Sequence, residues 1–419
     1  MHIASHLNSV YFGAVIGVAS GLMVAPGFLP AYGGEKILHS FDGGSDGNEP
    51  YGGLIADNAG NLYGTTLYGG GSGCGGMGCG TVFKVSPKGR ETVLHAFKAG
   101  DDGSWPVGTL LADGSGNLFG TTARGGGTGC SGTGCGTVFK LAPDGTETVL
   151  YAFQGGSDGQ NPWGGVIADG AGNLYGLTVY GGNFNGSECA DLGCGTLYEL
   201  QPEGGKLALY TFQAGEDGAF PGGAVITDAA GNLYGTTSRG GESDCSGGCG
   251  TVFKWTPGGS ETVLHAFQAN GDGDGPISGL IADAAGNLYG TTPSGGAAGW
   301  GTVFKVTTGG QETVLYSFQA GADGADPQAG LVMDDKGNLY GTSYAGGANA
   351  CNYGGYKGCG TVFELNRKGV ETVLYSFSNA QGTNPVGGLI LRAHHAVFGT
   401  TSRGGPEKHD GVVFKLKAK

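Results

Sequence analysis

The sequence predicts an all-β fold, a seven-bladed β-propeller of four-stranded antiparallel blades, on three observations. A phrase close to GNLYGTT recurs every 51 to 59 residues, strand-like segments surround each copy, and the strand missing from the last unit stands alone before the first. A repeat of this length is one supersecondary unit that buries its apolar faces against neighbouring copies. The phrase begins at Gly60, Gly116, Gly172, Gly231, Gly286 and Gly337, and a degraded seventh copy occupies 396–401.

Each unit contains four strand-like pieces, as the first complete copy shows. GLIAD from Gly53 and NLYGTT from Asn61 flank a short turn ending in Gly60, which supplies the positive φ that such a turn needs. TVFKV from Thr81 and ETVLHAF from Glu91 follow on either side of a turn that contains proline. All four pieces are short, rich in β-branched and aromatic residues, and bounded by Gly or Pro, which is typical of strands.

The closure of the ring follows from counting these strands. The fourth-strand piece first appears at 35–41, before any complete unit, and the last unit ends after its third strand at Leu416. We therefore expect the N-terminal strand to complete the C-terminal blade, because closure removes the exposed sheet edges of a linear array. An open β-solenoid is the alternative, but it does not need complementary ends and its coils are usually shorter.

Composition indicates an ordered, turn-rich and acidic protein. Glycine accounts for 95 of 419 residues, about three times the usual ~7%, but these glycines separate alternating segments at regular places and so mark turns. Lys and Arg number 21 against 35 Asp and Glu, a formal net charge of −14. This charge disfavours nucleic acid and anionic membrane surfaces as partners, since both require clustered cations.

The first 34 residues predict export. They contain no Lys, Arg, Asp or Glu, and the run from Val10 to Ala31 is apolar. The segment lacks a basic n-region and its run exceeds the usual ~7–15 residues, so an uncleaved signal anchor and a misassigned start are alternatives to a cleaved signal. We assign 1–34 to this segment and 35–419 to a single propeller domain. We expect a secreted, periplasmic or cell-surface monomer, which would contact a membrane only through an uncleaved N-terminal segment.

The repeated phrases resemble those of known propeller families. GLIADNAGNLYGTT from Gly53 is similar to the inner strands of NHL-type propellers. The whole unit, with GTVFKL and ETVLYSF, closely resembles the GloVer tandem repeat of bacterial exported, choice-of-anchor proteins, and the resemblance covers Glu35 to Leu416. It implies a bacterial exported propeller with interchangeable C-terminal anchors and no established activity. This chain ends in Lys417-Ala418-Lys419 without a hydrophobic tail, so we expect any anchor to be N-terminal.

Ten cysteines form five local pairs in the loops between second and third strands. Their even number, their local pairing and the export segment predict five disulfides. Zinc is the alternative ligand, but the spacings vary and no His stands nearby in a ligand pattern. The fifth unit has Trp300 in place of the second cysteine, where another contact would pin the loop. The pairs are Cys74/Cys79, Cys130/Cys135, Cys189/Cys194, Cys245/Cys249 and Cys351/Cys359.

A position two residues beyond the second Thr of the phrase carries Tyr or Arg in five of the seven units. Such side chains stack on sugars or bind carboxylates. We therefore expect the residues at this position to contact a ligand. Packing between blades is the alternative. Aromatic residues beside the proline before each inner strand would add apolar contact area on the same face. The candidate ligand-binding residues are Tyr68, Arg124, Tyr180, Arg239, Arg403, Trp105, Trp163 and Trp300, with Tyr51 and Phe220 beside the prolines.

An Asp-Gly pair precedes that proline in six units and is typical of a turn whose carboxylate caps backbone amides. Calcium is the functional alternative, best supported at 270–274, where oxygen ligands alternate and Asp272 and Asp274 are candidates. The distal bidentate Glu of an EF-hand is missing there. His39, His95 and His265 occupy an outer-strand position that other units fill with Tyr, and we interpret them as structural.

No Ser-His-Asp order, paired catalytic Glu, phosphate loop or metal triad is visible in the sequence, so no catalytic residue is assigned. Apart from the calcium alternative, no cofactor is expected. The leading hypothesis is a non-catalytic module that binds a glycan or a protein at the bacterial surface. The alternatives are a polysaccharide hydrolase or lyase that uses Asp residues at the channel mouth as acid and base, and a purely structural spacer or assembly protein.

Overall fold

The computed structural model describes residues 32–184, 189, 191–202, 204–241, 245–268, 271–353, 356–392, 395–406 and 410–418. Within them, seven antiparallel sheets follow one another around a ring, which confirms the predicted seven-bladed propeller. The predicted export segment lies outside the described residues except for 32–34, which belong to the first strand. Across the described ranges, no helix is long and apolar enough to cross a bilayer.

Each blade has four strands, a to d, which run from the central channel outwards, and each blade takes its number from its a strand. The a strands are Ile55–Ala56, Leu111–Ala112, Ile167–Ala168, Ala219–Thr227, Ile281–Ala282, Val332–Met333 and Ile390–Arg392. The b strands are Leu62–Tyr68, Leu118–Thr122, Leu174–Thr178, Leu233–Arg239, Leu288–Thr292, Leu339–Ser343 and Ala396–Thr401. The c strands are Thr81–Val85, Thr137–Leu141, Thr196–Leu200, Thr251–Thr256, Thr302–Val306, Thr361–Leu365 and Val412–Ala418. The d strands are Glu91–Ala96, Glu147–Ala152, Lys206–Thr211, Ser260–Ala266, Glu312–Ser317, Glu371–Ser376 and Tyr32–Ser40.

The loops between these strands contain further short strands and 3-10 helices. Asn48–Pro50 adds to the b strand of blade 1, and Asn352–Tyr353 pairs with Tyr356–Lys357 in the b–c loop of blade 6. The short 3-10 helices are Cys74–Gly76, Gly100–Asp102, Gly156–Asp158 and Gly215–Asp217.

Blade 7 combines the two ends of the described chain, as the strand count predicts. Tyr32–Ser40 runs antiparallel to Val412–Ala418, with Glu35 opposite Leu416 and Ser40 opposite Val412. The N-terminal strand therefore supplies strand d of the last blade. Closure replaces two free sheet edges with a hydrogen-bonded ladder.

A glycine and an aromatic ring determine how each blade packs on the next. In blade 1, a Cβ added at Gly64 of strand b would lie 2.6 Å from the ring of Phe83 in strand c, so a larger residue does not fit. Phe41, which follows strand d of blade 7, contacts the same ring edge to face with centroids 5.1 Å apart. The same contact joins every pair of neighbouring blades: Phe41–Phe83, Phe97–Phe139, Phe153–Tyr198, Phe212–Phe253, Phe267–Phe304, Phe318–Phe363 and Phe377–Phe414.

A polar cluster, which we call the rim cluster, also lies at each blade interface. In six of these clusters a His or Tyr of strand d reaches the Asp of the following Asp-Gly turn, and a Glu or Lys near the start of the next d strand approaches the same Asp. That Asp also caps the turn, as predicted; Asp217, for example, accepts the N–H of Gln213 at 2.9 Å. The clusters are His39/Asp46/Glu91, His95/Asp102/Glu147, Tyr151/Asp158/Lys206, Tyr210/Asp217/Glu261, His265/Asp272/Glu312, Tyr316/Asp323/Glu371 and Tyr375/Gln381/Glu35.

Burial changes the protonation of the glutamates in these clusters. Burial and then the negative charge of Asp217 raise the pKa of Glu261 to about 7, and burial with Asp323 does the same for Glu371. Tyr210 and Tyr316 donate their hydroxyls to the same two aspartates. The Glu side chains therefore carry protons in the folded protein at pH values where the unfolded chain has lost them.

We expect Phe41→Ala to lower the free energy of unfolding by about 3–5 kcal/mol, because it removes a fully buried ring and leaves a cavity against Phe83. The free energy is measured by urea unfolding followed by circular dichroism. Lys36→Ala, a change at an exposed residue of the same strand, serves as the control. A loss below about 1 kcal/mol for Phe41→Ala would show that the closing strand contributes little to the ring.

We also expect the melting temperature to fall as the pH rises from 5 to 8. A carboxyl whose pKa is higher in the folded state stabilises the fold fully below its unfolded pKa and loses this effect as the pH rises through 7. The double variant Glu261→Gln/Glu371→Gln should show a smaller fall, measured by calorimetry, because an amide does not ionise. Glu216→Gln, at an exposed position outside the rim clusters, should leave the slope unchanged. Parallel curves for the double variant and the parent protein would contradict this assignment.

Candidate functional site

The loops of the propeller divide between two faces. The b–c loops and the d–a loops share one face, which we call the loop face, and the shorter a–b and c–d turns lie on the other. On the loop face the channel opens in a cavity of about 370 Å³, lined by residues of all seven blades. Thr109, Ser278 and Gln328 supply polar side chains, and the described lining residues include no carboxylate, imidazole or cationic side chain.

Seven residues, one per blade, lie just outside this cavity and form what we call the mouth ring. Each immediately precedes the proline that leads into strand a, and each has a φ between 54° and 67°. This left-handed conformation costs a non-glycine residue about 1–2 kcal/mol, so surrounding contacts must hold the backbone. The mouth ring consists of Glu49, Trp105, Asn161, Phe220, Gly275, Asp326 and Asn384.

The disulfide-closed loops hold the mouth ring in place. The N–H of Trp105 donates to the carbonyl of Cys79 at 2.9 Å, across the interface between blades 1 and 2. In blade 5, which has no disulfide, the carbonyl of Trp300 accepts the N–H of Asp326 at 3.0 Å, so the same pinning contact forms without cysteine. The equivalent donor and acceptor pairs are Asn161–Cys135, Phe220–Cys194, Gly275–Cys249, Asn384–Cys359 and Glu49–Asp410.

All five predicted disulfides are formed, and no cysteine among the described residues is free. Each disulfide closes a loop on the loop face, and its two cysteines are four to eight positions apart in the sequence. Disulfides persist in oxidising compartments and are rare in the cytosol. The five bonds therefore indicate an oxidising environment outside the cytoplasm.

The Tyr and Arg side chains that were predicted to contact a ligand lie against the mouth ring. Tyr68 meets the ring of Trp105 edge to face at 5.9 Å, and the guanidinium of Arg124 stacks on the same indole at 3.8 Å. Tyr180 contacts Phe220 in the same way at 5.6 Å. Except for Arg124, these partners belong to the next blade, so the contacts are those of the packing alternative. A ligand-binding role for this position stays a prediction.

The other two arginines of the predicted set, Arg239 and Arg403, face the next blade. Arg403 forms an ion pair with Glu49 at 2.9 Å. Burial raises the pKa of Asp274, and the nearby positive charge of Arg239 opposes this rise. Trp300 is 40% exposed on the loop face.

One arc of the mouth is aromatic. Tyr51 and Trp163 stand one residue after their prolines and both line the cavity, and their rings meet edge to face at 5.7 Å. Val107 packs between them, and Tyr68 and Trp105 extend the cluster outwards. We call this patch the aromatic arc.

Blades 6, 7 and 1 carry acids and amides around the mouth. We call Asp326, Gln328, Asn384 and Glu49 the polar arc. Burial raises the pKa of the Asp326 carboxyl to about 6, although Gln328 donates a hydrogen bond to it at 2.9 Å. Burial also raises the pKa of Glu49, against the opposing charge of Arg403. Burial first, and then Tyr344, Glu49 and Asp326, raise the pKa of the Tyr51 hydroxyl. Tyr51 thus lies where the two arcs meet.

The two aspartates of the calcium prediction engage different partners. Asp272 lies 2.9 Å from His265 and accepts the N–H of Gln268, as part of a rim cluster. Asp274 lies on the mouth side, beside the disulfide Cys245–Cys249. Asn270, the third residue of that prediction, lies outside the described residues. The calcium site stays a prediction that nothing here tests.

Sequence reasoning missed most of the polar arc. It selected the aromatic members of the mouth ring and passed over Glu49, Asn161, Asp326 and Asn384. The signal was present in the sequence, because the residue before the proline is E, W, N, F, G, D and N in successive units while the residues around it repeat. The missing information was the left-handed backbone, which depends on hydrogen bonds from a different blade.

These features define a β-propeller repeat protein whose disulfide-supported face surrounds a channel mouth. A family model described as the Gloeobacter/Verrucomicrobia repeat matches residues 27–189, 187–351 and 246–419. The chain belongs to this bacterial repeat family, which confirms the resemblance drawn from the repeated phrases. No curated protein matches the chain in sequence.

Several solved structures are similar to this chain at low sequence identity. A gluconolactonase from Xanthomonas campestris is 14% identical over 92% of this chain and 89% of its own, with a TM-score of 0.44. A Bacteroides uniformis protein assigned as a 6-phosphogluconolactonase is 14% identical over 77% and 83%, with a TM-score of 0.46. An extracellular domain from B. thetaiotaomicron, assigned to a hybrid two-component system, is 9% identical over 90% of this chain and 39% of that one, with a TM-score of 0.56. The likeness with the TM-score of 0.56 shows the fold alone.

We expect the double variant Cys130→Ser/Cys135→Ser to lower the free energy of unfolding by about 2 kcal/mol, the chain-entropy value for so short a loop. Urea unfolding of the oxidised proteins measures the change. Ser131→Ala, in the same loop, is the control. Unchanged stability in the double variant would mean that the loop is held by its backbone hydrogen bonds alone.

Proposed function

We propose that this protein is an exported, non-catalytic recognition module that binds an oligosaccharide at the mouth of its channel. The proposal is carried by one observation: the aromatic side chains of Tyr51 and Trp163 and the polar side chains of Thr109, Ser278 and Gln328 line a single cavity. Pyranose rings present apolar C–H faces that pack on aromatic side chains, while their hydroxyl groups need hydrogen-bonding partners such as hydroxyls and amides. The lining residues match these two needs.

The dimensions and rigidity of the mouth support this proposal. The volume of about 370 Å³ falls within the ~300–1,000 Å³ of small-ligand sites. Tyr51 and Trp163 offer aromatic surface inside the cavity, and Gln328 offers an amide beside the buried carboxyl of Asp326. The disulfide loops hold the mouth ring before any ligand arrives, which lowers the ordering cost of binding.

A polysaccharide hydrolase or lyase is the alternative, and the mouth favours it less. Hydrolysis of a glycosidic bond by the usual route needs two carboxyl groups that reach the substrate. Asp326 has the raised pKa of a general acid, but it is only 5% exposed and its carboxylate accepts a hydrogen bond from Gln328. A protein partner and a purely structural role remain as further alternatives for the experiment to decide.

The test is a glycan array probed with the full oxidised chain, followed by titration calorimetry on the sugar class that binds. We expect Trp163→Ala to weaken binding at least about tenfold, because stacking on an aromatic ring at a binding hot spot is commonly worth more than 1.4 kcal/mol. Gln328→Ala should weaken it as well. Trp300→Ala removes an exposed indole of the same face that does not line the cavity, and should bind like the parent protein.

The possible outcomes separate the hypotheses. Equal affinity of Trp163→Ala and the parent protein would place the site elsewhere on the loop face. Release of shortened sugars from a bound glycan would favour the hydrolase or lyase. Absence of binding across the array would overturn the glycan proposal and leave a protein partner or a structural role.

A further inference from the structure

Two of the rim clusters bring together the side chains of a metal site. In one, the Nε2 atom of His95 lies 2.9 Å from Asp102, and Glu147 of the next blade completes the group. In the other, His265, Asp272 and Glu312 repeat the arrangement, again with 2.9 Å between Nε2 and the aspartate. In each cluster one candidate ligand atom from every residue lies within 4.8 Å of the others.

The glutamates of these clusters leave one oxygen without a partner. The Oε1 atoms of Glu147 and Glu312 are buried and have no hydrogen-bond partner among the described residues, and the same holds for the glutamates of the four other rim clusters that contain one. A buried polar atom without a partner is costly. In the two clusters where His, Asp and Glu atoms lie within 4.8 Å of one another, a cation would take the place of the carboxyl proton and supply the missing partner.

The interface between blades 2 and 3 shows independently that this place accepts a positive charge. There Lys206 occupies the position that Glu takes in the other six clusters, and its ammonium lies 3.0 Å from the Asp158 carboxylate and 2.7 Å from the Asp158 carbonyl. The Lys206 side chain is only 5% exposed. Tyr151 takes the place of His at this interface, as Tyr also does at three interfaces that keep the Glu. Where the chain supplies its own cation, the Glu is therefore the residue that is lost.

We propose that the clusters His95/Asp102/Glu147 and His265/Asp272/Glu312 each bind one divalent transition-metal ion of the Zn²⁺ type. One imidazole nitrogen and two carboxylates suit Zn²⁺, with water as the fourth ligand. The nitrogen ligand distinguishes these sites from the calcium site considered at 270–274, because Ca²⁺ takes oxygen ligands. Neither site uses cysteine, since the described cysteines are in disulfides.

Such an ion would link three separate parts of the ring. The imidazole belongs to one blade, the Asp belongs to the following turn, and the Glu belongs to the next blade. The side chains of His95 and Asp102 are 16% and 20% exposed, so an ion can reach them from solvent. Binding would therefore clamp blade 1 to blade 2, and blade 4 to blade 5. This inference is independent of the proposed glycan site.

The experiment titrates Zn²⁺ into the full oxidised chain after EDTA treatment and dialysis, by calorimetry, and records the absorption of bound Co²⁺ as a second readout. We expect two equivalents to bind and the melting temperature to rise. His95→Tyr and His265→Tyr should each remove one equivalent and remain folded, because Tyr occupies this position at four other interfaces. Glu147→Lys, which copies Lys206, should also remove one equivalent.

His39→Tyr and His395→Tyr are the controls. The first changes a rim cluster whose atoms do not form so close a group, and the second changes an exposed imidazole; both should keep two equivalents. The proposal is overturned if the stripped protein takes up no Zn²⁺, or if the double variant His95→Tyr/His265→Tyr still binds two equivalents. Circular dichroism of each variant shows whether it is folded.

Discussion

The edge-to-face contact between an aromatic ring after strand d and an aromatic ring in strand c of the next blade is the interaction on which the propeller depends. It occurs at all seven interfaces with centroids 5.0–5.2 Å apart. The glycine in strand b leaves room for the strand c ring, because any Cβ there would collide with that ring. Each blade is thus held by its neighbours. The antiparallel pairing of Tyr32–Ser40 with Val412–Ala418 extends this packing to the first and last blades and closes the ring.

A core that repeats so regularly leaves the loop face free to differ from blade to blade. The backbone of the mouth ring is held by the same hydrogen bond in every blade, whether a disulfide loop, Trp300 or Asp410 supplies the carbonyl. Six of these left-handed residues are not glycine and are therefore costly, and their cost is offset by a closed ring of hydrogen bonds between blades. With the backbone held, the side chains can change without disturbing the sheets. This explains how one mouth can carry aromatic side chains in blades 1 to 3 and acids and amides in blades 6, 7 and 1.

The sequence contained most of the fold because the fold depends on local, repeated signals. Strand alternation, the turn glycines and the complementary ends predicted the blades and their closure, and the cysteine spacing predicted the five disulfides. The candidate site was harder to predict from the sequence. Tyr68 and Arg124 were chosen for their chemistry, but their contacts with Trp105 depend on which residues meet across the blades. Asp326 was passed over because its burial and raised pKa result from a backbone conformation that a hydrogen bond from another blade imposes.

Departures from the repeat are of two physical kinds, and they point to different roles. At the rim, substitutions change which side chains of a cluster bind one another: Lys206 replaces a Glu and binds Asp158, and where Gln381 replaces Asp, Tyr375 donates to Glu35 instead. At the mouth ring, Trp, Phe, Asn, Asp and Glu occupy equivalent positions on an unchanged backbone, and several of them contact a Tyr or Arg of the preceding blade, as Glu49 does with Arg403. These contacts lie within the chain, but Tyr51, Trp163 and Gln328 beside them line a cavity that a ligand can enter. This cavity is the reason for proposing recognition at the channel mouth, whereas the close groups of His, Asp and Glu are the reason for proposing ion binding at the rim.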